Sequence, residues 1–407
     1  MPMKVSVTSH IYRDPEELWD YVKRIYREAT LSYKSPSGVI FVECGEQTYK
    51  EMTRDPNIQA TITSKIKLTQ AAPLQEAPVA PAAPEIWVNT VAKRVGAEIA
   101  WEAGFRGEGV TVAVLDSGIN PHKTLKGKIA YEEALITDTT LDHFAHGTSV
   151  ASVIAGEDPS TGFTGIAPRA SIINIKMMND RGESDEELAV KAVDRAVELK
   201  ADIINISWGL TDTGNPNEPI RIAVRNAAKQ NIVIVCAAGN YGPAPTTITS
   251  PATDPVTVAV GSCTASEMVS TFSSRGPTKE GLVKPEGLGF GENLIVADPK
   301  TPDGLAKATG TSFTAPQGSG IAALGRQIFR ATMTREWIEI GLKYSSTKPP
   351  SAPAPKTVKD NDYGYGIPDF RIYGAVATIP GVTPAAAINP NNILNLILLA
   401  IFAKVIA

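Results

Sequence analysis

The chain has 407 residues, of which 43% are hydrophobic and 20% are charged, which is the composition of an ordinary globular protein and excludes wholesale disorder. With 39 Lys and Arg against 43 Asp and Glu, the formal net charge is −4, and such a chain has no dominant basic face for nucleic acid. The three cysteines, Cys44, Cys236 and Cys263, are far apart and odd in number, which argues against a disulfide framework or a zinc ribbon.

The N-terminus carries no pattern of a secretory signal, because Asp14, Glu16 and Glu17 interrupt the segment that would have to be apolar. No apolar run reaches the roughly 18 residues that a membrane span requires. The sequence therefore predicts a cytoplasmic protein, and the length favours two to three domains.

Residues 1–70 alternate between strand and helix patterns. Residues 3–8 are typical of a strand, and Asp14-Pro15-Glu16-Glu17 is typical of a helix start, with Asp14 as N-cap. Two further strands around a turn at 35–38, a helix and a last strand follow. The order β-α-β-β-α-β predicts a small ferredoxin-like α+β domain.

Residues 71–84 form an Ala/Pro-rich linker, with six Ala and four Pro in 14 positions. From 85 to 378, apolar strands alternate with helical patterns, the clearest of which starts at Ser184 as N-cap with Glu187 as its capping-box partner. Because the strands are apolar almost throughout, the pattern predicts a mostly parallel sheet buried on both faces, in a doubly wound α/β domain. The predicted strands are Val110–Leu115, Ile172–Met177, Asp202–Ser207, Ile232–Ala237 and Val256–Val260.

Three short segments carry residues with chemical potential. Asp116 ends an apolar strand, where open parallel sheets form their active sites, and His146 and Ser312 each precede a helix of small residues. An Asp, a His and a Ser are the parts of a nucleophilic triad, in which the carboxylate orients the imidazole and the imidazole takes the serine proton. The segments are TVAVLDSG at 111–118, HGTSVASVIAG at 146–156 and GTSFTAP at 310–316.

Hydrolysis also needs donors for the oxyanion of the intermediate. The segment AAGNYGP at 237–243 follows a predicted strand and offers the side-chain amide of Asn240. The backbone N–H of Ser312 is a second candidate donor.

The order of the motifs DSG, HGTSVA, AAGN and GTSFTAP resembles that of the subtilisin-like serine peptidases, the subtilase family. The resemblance covers roughly 85–376 and includes the closing segment YGYGIPDFRIYGAV at 363–376. It implies an endopeptidase acting on polypeptides, with Asp116 as the orienting acid, His146 as the general base, Ser312 as the nucleophile and Asn240 as the oxyanion donor.

Residues 37–63 resemble the second half of the inhibitor-like propeptide of this family. The resemblance therefore implies a zymogen whose N-terminal domain, 1–70, inhibits its own active site until the chain cuts itself within 64–86. It also implies a strand that binds extended peptides at the specificity pocket. The substrate-binding residues implied in this way are Ser207, Trp208, Gly209, Leu210, Ala238 and Gly239.

Two features depart from the family pattern. The calcium loop that often interrupts the helix after the histidine is replaced by the compact segment 155–168, so no metal residues are assigned, although a structural calcium ion stays open. Leu210 stands where the family usually has glycine, and Trp208 is bulkier than the usual aliphatic residue, which bears on the size of the specificity pocket.

Several alternatives stay open. Asp142, His143 and His146 could bind a metal, and Cys236 and Cys263 could be inert core thiols, a redox switch or a disulfide. A catalytically silent relative that acts as a binding or scaffold protein is the alternative function. An α/β-hydrolase esterase is disfavoured because it would need a Gly-x-Ser-x-Gly motif and the order Ser, Asp, His.

The C-terminal region 379–407 is a spacer followed by a hydrophobic tail, in which 13 of the residues 393–407 are apolar. The tail could pack on the catalytic domain, bind a membrane surface peripherally or bind another protein. As a helix, 15 residues would rise only about 22 Å, which is shorter than a hydrocarbon core of roughly 30 Å.

Overall fold

The computed structural model describes residues 2–67, 85–330, 333–355 and 357–369. The predictions for the linker at 71–84 and for the tail at 379–407 lie outside the described residues. Within the described ranges, no helix is both long enough and apolar enough to cross a membrane.

The N-terminal residues form a four-stranded antiparallel sheet in the order β2-β3-β1-β4, with helices α1 and α2 on one face. Alternate residues of β1 and β3, such as Val5 and Ile40, face these helices because side chains of a strand alternate between its two sides. The elements are β1 Met3–Thr8, α1 Pro15–Ile25, β2 Thr30–Ser35, β3 Val39–Cys44, α2 Glu46–Met52 and β4 Gln59–Ile62, and a short strand β5 follows at Lys65–Lys67.

The main sheet has seven strands among the described residues, in the order β16-β15-β14-β13-β7-β11-β8, and all its neighbouring pairs are parallel. The doubly wound α/β fold is therefore confirmed, and each of the five predicted strands overlaps an observed one. The strands are β7 Thr111–Asp116, β8 Ile129–Ala134, β11 Ser171–Lys176, β13 Ile203–Ile206, β14 Val233–Ala237, β15 Val258–Cys263 and β16 Gly287–Phe290.

Helices cover both faces of this sheet, and a separate apolar core fills each interface. Helices α3, α4, α5, α8 and α9 contribute to one core, and α6 and α7 contribute to the other. Their bounds are α3 Val88–Arg94, α4 Ala97–Glu102, α5 Gly147–Ala155, α6 Glu186–Glu198, α7 Pro219–Lys229, α8 Ala315–Phe329 and α9 Arg335–Ser345. The shorter strands are β6 Ile86–Trp87, β9 Glu157–Asp158, β10 Phe163–Thr164, β12 Glu183–Asp185, β17 Leu294–Ala297 and β18 Leu305–Ala308.

The start of α1 follows the prediction, because the Asp14 carboxylate accepts the N–H groups of Glu16 and Glu17. The predicted start of α6 is wrong by one residue. Asp185 caps this helix by accepting the N–H of Leu188, whereas the hydroxyl of Ser184 donates to the Met177 carbonyl. Both residues are good N-caps in isolation, but the Ser184 hydroxyl is engaged with the Met177 carbonyl and Asp185 takes the capping position.

The strand order reverses around β7, whose neighbours are β11 on one side and β13 on the other. The later strands β14, β15 and β16 extend the sheet beyond β13, and β8 lies beyond β11. Ligands of open α/β sheets bind at such a reversal, outside the carboxyl ends of the strands. The carboxyl end of β7, which is Asp116, therefore lies in the crevice where an active site is expected.

Candidate active site

Asp116 and His146 form a buried hydrogen-bonded pair at this edge of the sheet. Oδ1 of Asp116 accepts the N–H of Ser117 at 2.7 Å and lies 2.8 Å from Nδ1 of His146. Because an ionised carboxylate only accepts hydrogen bonds, Nδ1 of His146 carries the proton. The other ring nitrogen, Nε2, is then the atom that can take up a proton.

The environment of His146 favours its protonated form. Burial alone would lower the pKa of the imidazole, but attraction to Asp116, their hydrogen bond and the nearby charge of Asp142 outweigh it. The pKa of His146 is therefore raised above its ordinary value. A base of this kind stabilises the positive charge that it acquires when it accepts a proton.

Asp142 holds the loop that positions His146, a role that the sequence reasoning missed. Its Oδ1 accepts the hydroxyl of Ser117 and the N–H groups of Ala145 and His146, and its Oδ2 accepts the N–H and hydroxyl of Thr148. An aspartate just before a helix often accepts free N–H groups of the first turn, so its position ahead of α5 was the available signal.

Ser312 lies in a short 3₁₀ turn, Thr311–Phe313, directly before α8. Its hydroxyl donates to the carbonyl of Ser207 at 2.9 Å, and the hydroxyl of Ser207 donates to the carbonyl of Ser312 at 2.8 Å. The ring centroid of the adjacent Phe313 lies 5.5 Å from that of His146. The structure therefore brings the Ser312 turn beside His146, while the Ser312 hydroxyl is bonded to Ser207.

The amide of Asn240 is oriented by the same turn. Its Oδ1 accepts both the N–H and the hydroxyl of Thr311, each at 2.9 Å. Because the backbone N–H of Thr311 can only donate, the Asn240 atom that faces it must be the amide oxygen. The Nδ2 group of Asn240 is therefore directed away from Thr311. Thr311 is thus a positioning residue for Asn240 that the sequence reasoning did not single out.

Ser312 and Asn240 line the same small cavity, which has a volume of about 20 Å³. Of the predicted substrate-binding residues, Ser207, Trp208, Gly209 and Gly239 line it as well. Leu210 and Ala238 do not. The remaining lining residues, which the sequence reasoning missed, are Ala237, Tyr241, Thr249 and Thr311.

Leu210 and Ala238 bond through their backbones to the segment that contains the lining residue Thr249. Leu210 exchanges two hydrogen bonds with Ser250, and Ala238 accepts the N–H of Thr249. Trp208 is buried, and its indole N–H donates to the carbonyl of Leu115 at 2.8 Å. Its indole is therefore anchored at the end of β7.

The three residues considered as metal ligands do not form one site. Asp142 accepts the hydrogen bonds described above, His146 is bonded to Asp116, and Nδ1 of His143 lies 3.2 Å from Oδ2 of Asp180. Among the described residues, no group of three or more His, Cys, Asp or Glu is arranged to hold a metal ion.

The three cysteines are free and buried. Cys236 and Cys263 belong to the cores on opposite sides of the main sheet, so they do not form a disulfide. Burial raises the pKa of both thiols, which disfavours the reactive thiolate. These observations favour inert core thiols over a redox switch.

The N-terminal sheet packs beside the candidate site, on the start of α6. Strand β5 pairs antiparallel with β12, which directly precedes α6. Lys4 forms ion pairs with Asp185 and Glu187, at 3.2 and 3.1 Å. Strand β5, the last described element of the N-terminal region, therefore lies on a strand of the catalytic region.

Strand β12 begins next to the loop that carries His146. A Cβ atom added to Gly182, just before β12, would lie 2.6 Å from the ring of Phe144, so glycine allows the close approach of the two segments. The pairing of β5 with β12 thus places this short strand beside the segment that approaches Phe144, two residues before His146.

Two acidic residues of α6 are buried at this contact. The Tyr33 hydroxyl donates to Asp194 at 2.8 Å, and the backbone N–H of Glu186 donates to the carbonyl of Ser64. Burial raises the pKa of the Asp194 carboxyl to about 6 and that of Glu186 to about 7. The contact therefore favours the neutral form of the Asp194 carboxyl, whereas the Glu186 carboxylate accepts the N–H of Ile220 in α7.

Comparison with known proteins relates this chain to one family of peptidases. A family profile described as "Subtilase family" matches residues 107–366. The "Major intracellular serine protease" of Bacillus subtilis (strain 168) is 35% identical over 236 residues, which are 55% of this chain and 70% of that protein.

Two further relatives come from the same organism. "Serine protease AprX" is 35% identical over 251 residues, covering 54% of this chain and 57% of the relative. "Subtilisin E" is 33% identical over 227 residues, covering 54% of this chain and 56% of the relative. The chain thus spans little more than half the length of these two proteins.

Proposed function

The chain belongs to the subtilase family and is a serine endopeptidase of that family; from this premise we propose that it hydrolyses peptide bonds through Asp116, His146 and Ser312 and that it is made as a zymogen. The observation that carries the proposal is the buried Asp116–His146 pair beside a cavity that Ser312 and Asn240 line together. Polypeptides are the proposed substrates.

In the proposed mechanism, Nε2 of His146 takes the proton of the Ser312 hydroxyl, which first leaves the carbonyl of Ser207. Ser312 Oγ attacks the substrate carbonyl carbon, and Asp116 stabilises the imidazolium that forms. Nδ2 of Asn240 and the backbone N–H of Ser312 donate to the oxyanion. His146 then protonates the leaving amine, and water hydrolyses the acyl-enzyme by the same steps.

The N-terminal domain is proposed to act as an intramolecular inhibitor that is removed by self-cleavage within 64–86. Two contacts support this idea. Strand β5 pairs with β12 beside the active-site loop, and Lys4 is paired with two acidic residues at the start of α6. The name of the relative from Bacillus subtilis that is 35% identical over 236 residues supports a location inside the cell.

Intact-mass analysis of the purified full chain tests the catalytic and zymogen proposals together. The wild type is expected to separate into two products cut within 64–86, and Ser312→Ala is expected to stay full length. Ser160→Ala is the control, because this exposed serine lies between β9 and β10, bonds to Asp158 and does not line the cavity. It should process like the wild type.

Two results would contradict the proposal. If Ser312→Ala cut itself at the wild-type rate, Ser312 would not be the nucleophile. If the wild type neither cut itself nor cleaved any peptide, a catalytically silent binding protein would be favoured. Inhibition of the mature enzyme by added 1–70 at micromolar concentration is expected, and its absence would count against the inhibitor role.

A further inference from the structure

The cavity beside Ser312 is narrowed by one side chain, that of Thr249, which packs against two glycines of its lining. Resting on the proposed endopeptidase function, we propose that Thr249 limits this enzyme to substrates whose scissile carbonyl belongs to a residue with a small, uncharged side chain, such as Gly, Ala or Ser. This deepens the proposed function by naming the class of peptide bond that is cut.

Two glycines on opposite walls of the cavity both face Thr249. A Cβ atom added to Gly209 would lie 2.2 Å from the Thr249 Oγ1, and one added to Gly239 would lie 2.8 Å from its Cγ2. Gly209 follows the Ser207 carbonyl that holds the nucleophile, and Gly239 precedes Asn240. The threonine therefore fills space between the two segments that border the nucleophile and the proposed oxyanion donor.

Thr249 is held firmly in this position. Its side chain is buried, its N–H donates to the carbonyl of Ala238 at 3.0 Å, and its hydroxyl donates to the same carbonyl at 3.3 Å. The next residue, Ser250, exchanges two backbone hydrogen bonds with Leu210. A larger substrate side chain would have to break these contacts to displace the threonine.

The remaining space suits a small group. The cavity volume of about 20 Å³ slightly exceeds the roughly 10–15 Å³ that one water-sized sphere occupies. A methyl or hydroxymethyl group fits such a space, whereas the four-carbon side chain of leucine does not. All ten residues that line the cavity are uncharged, so a charged substrate side chain would be buried there without a partner.

The test uses peptides that differ only in the residue before the scissile bond, with Ala, Leu, Phe or Lys at that position. For the mature wild type, kcat/KM for the Ala peptide should exceed that for the Phe peptide by at least tenfold. A methylene group in an apolar pocket changes kcat/KM by about 10–200-fold, so Thr249→Gly should raise the Phe/Ala ratio by a factor in that range.

Two further variants make the test specific. Thr249→Val keeps the volume and loses the hydroxyl, so it should keep the wild-type ratio. Thr247→Gly makes the glycine substitution two residues earlier, where the side-chain hydroxyl donates to Ala244 outside the cavity, and it should also keep that ratio. Thr249→Ala is a second variant that enlarges the cavity, for use if Thr249→Gly does not fold.

The outcomes separate this inference from the proposed function. The role of Thr249 would be overturned if the wild type cleaved the Phe and Ala peptides equally. It would also be overturned if Thr249→Val and Thr249→Gly changed the Phe/Ala ratio of kcat/KM by the same factor. Either result would leave the peptidase assignment intact. A wild type that cleaves none of the peptides and does not react with a fluorophosphonate would instead overturn the proposed function.

Discussion

Two buried clusters of charged residues in this molecule differ in what surrounds them. In the first, Asp116 bonds to His146, and the turn of Ser312 and a small cavity lie next to the pair. In the second, Glu286 accepts Lys284 at 2.9 Å, Lys359 at 2.7 Å and Arg335 at 3.1 Å.

In both clusters the pKa of a buried group departs from its ordinary value. Burial opposes the charge of Glu286, but the three surrounding cations outweigh it and lower the pKa of its carboxyl. Burial and the neighbouring cations lower the pKa of Lys284 to about 8. A shifted pKa therefore marks burial and charge in both places, but the first cluster also lies beside the turn of Ser312 and the cavity that Ser312 lines.

If this contrast is correct, substitutions in the Asp116–His146 cluster should reduce catalysis more than any others. His146→Ala removes the base, and kcat should fall by about 10⁶-fold, the size of the loss known for the corresponding histidine of subtilisin. The measurement is kcat on a peptide substrate with enzyme whose N-terminal domain has been removed. A loss of less than tenfold would show that His146 is not the base.

Glu286→Gln should act on stability instead. It leaves Lys284 buried without its counter-charge, and removing one partner of a buried ion pair destabilises a protein by about 3–5 kcal/mol. Urea unfolding is best measured in the Ser312→Ala background, where self-digestion does not interfere.

Glu339→Gln is the matched control for this substitution. Glu339 is more exposed and pairs with Arg335, so its loss should lower the free energy of unfolding by no more than about 1 kcal/mol. Equal effects of the two substitutions, or a loss of kcat in correctly folded Glu286→Gln, would contradict the division between a catalytic and a structural cluster.

Asn240→Ala should lower kcat by about 10²–10³, as loss of the oxyanion asparagine does in subtilisin, which corresponds to about 2.7–4 kcal/mol. Thr311→Val removes the hydroxyl that bonds to Asn240 but keeps the N–H that does so, and it should cause a smaller loss of the same kind. Both substitutions should change kcat more than KM. An unchanged kcat in Asn240→Ala would show that Asn240 does not donate to the oxyanion.

The smallest expected effect is the pH dependence of binding between the separately produced 1–70 domain and the catalytic region with Ser312→Ala. The pKa of Asp194 is about 6 in the contact and should return towards about 3.9 when the carboxyl is exposed. Between these values, binding takes up a proton, so affinity should fall by about tenfold per pH unit as the pH rises from about 4 to 6.

Asp194→Asn is the control, because an amide does not titrate, and its binding should depend less steeply on pH. The ion pairs of Lys4 with Asp185 and Glu187 face the same interface and oppose this trend at low pH. An affinity that is constant or rises over the same range would show that Asp194 stays ionised under Tyr33.

The sequence predicted the main elements well, because an apolar strand buried on both faces has few alternatives. The start of α6 was predicted one residue early. The hydroxyl of Ser184 bonds to the Met177 carbonyl in the folded chain, and the type of residue at 184 does not reveal this contact.

In the candidate site, motifs in the sequence singled out Asp116, His146, Ser312 and Asn240; Asp116 is bonded to His146, and Ser312 and Asn240 line one cavity. The role of Thr249 was not predicted, because it depends on which backbone groups lie opposite its side chain, whereas the position of Asp142 ahead of α5 was a local signal that was overlooked. Thr249 follows the AAGN segment by nine residues, and only the folded chain brings it back against Gly239. Distances of this kind follow from tertiary packing and not from residue type.

The most direct test of the account is the site of reaction with a fluorophosphonate, which forms a covalent bond with an activated serine hydroxyl and releases fluoride. Mature wild type should take up one equivalent, and peptide mapping should place it on Ser312. His146→Ala should react at a strongly reduced rate, because the hydroxyl then has no base. Modification of another residue, or equal rates in His146→Ala and wild type, would contradict the claim that Asp116 and His146 activate Ser312.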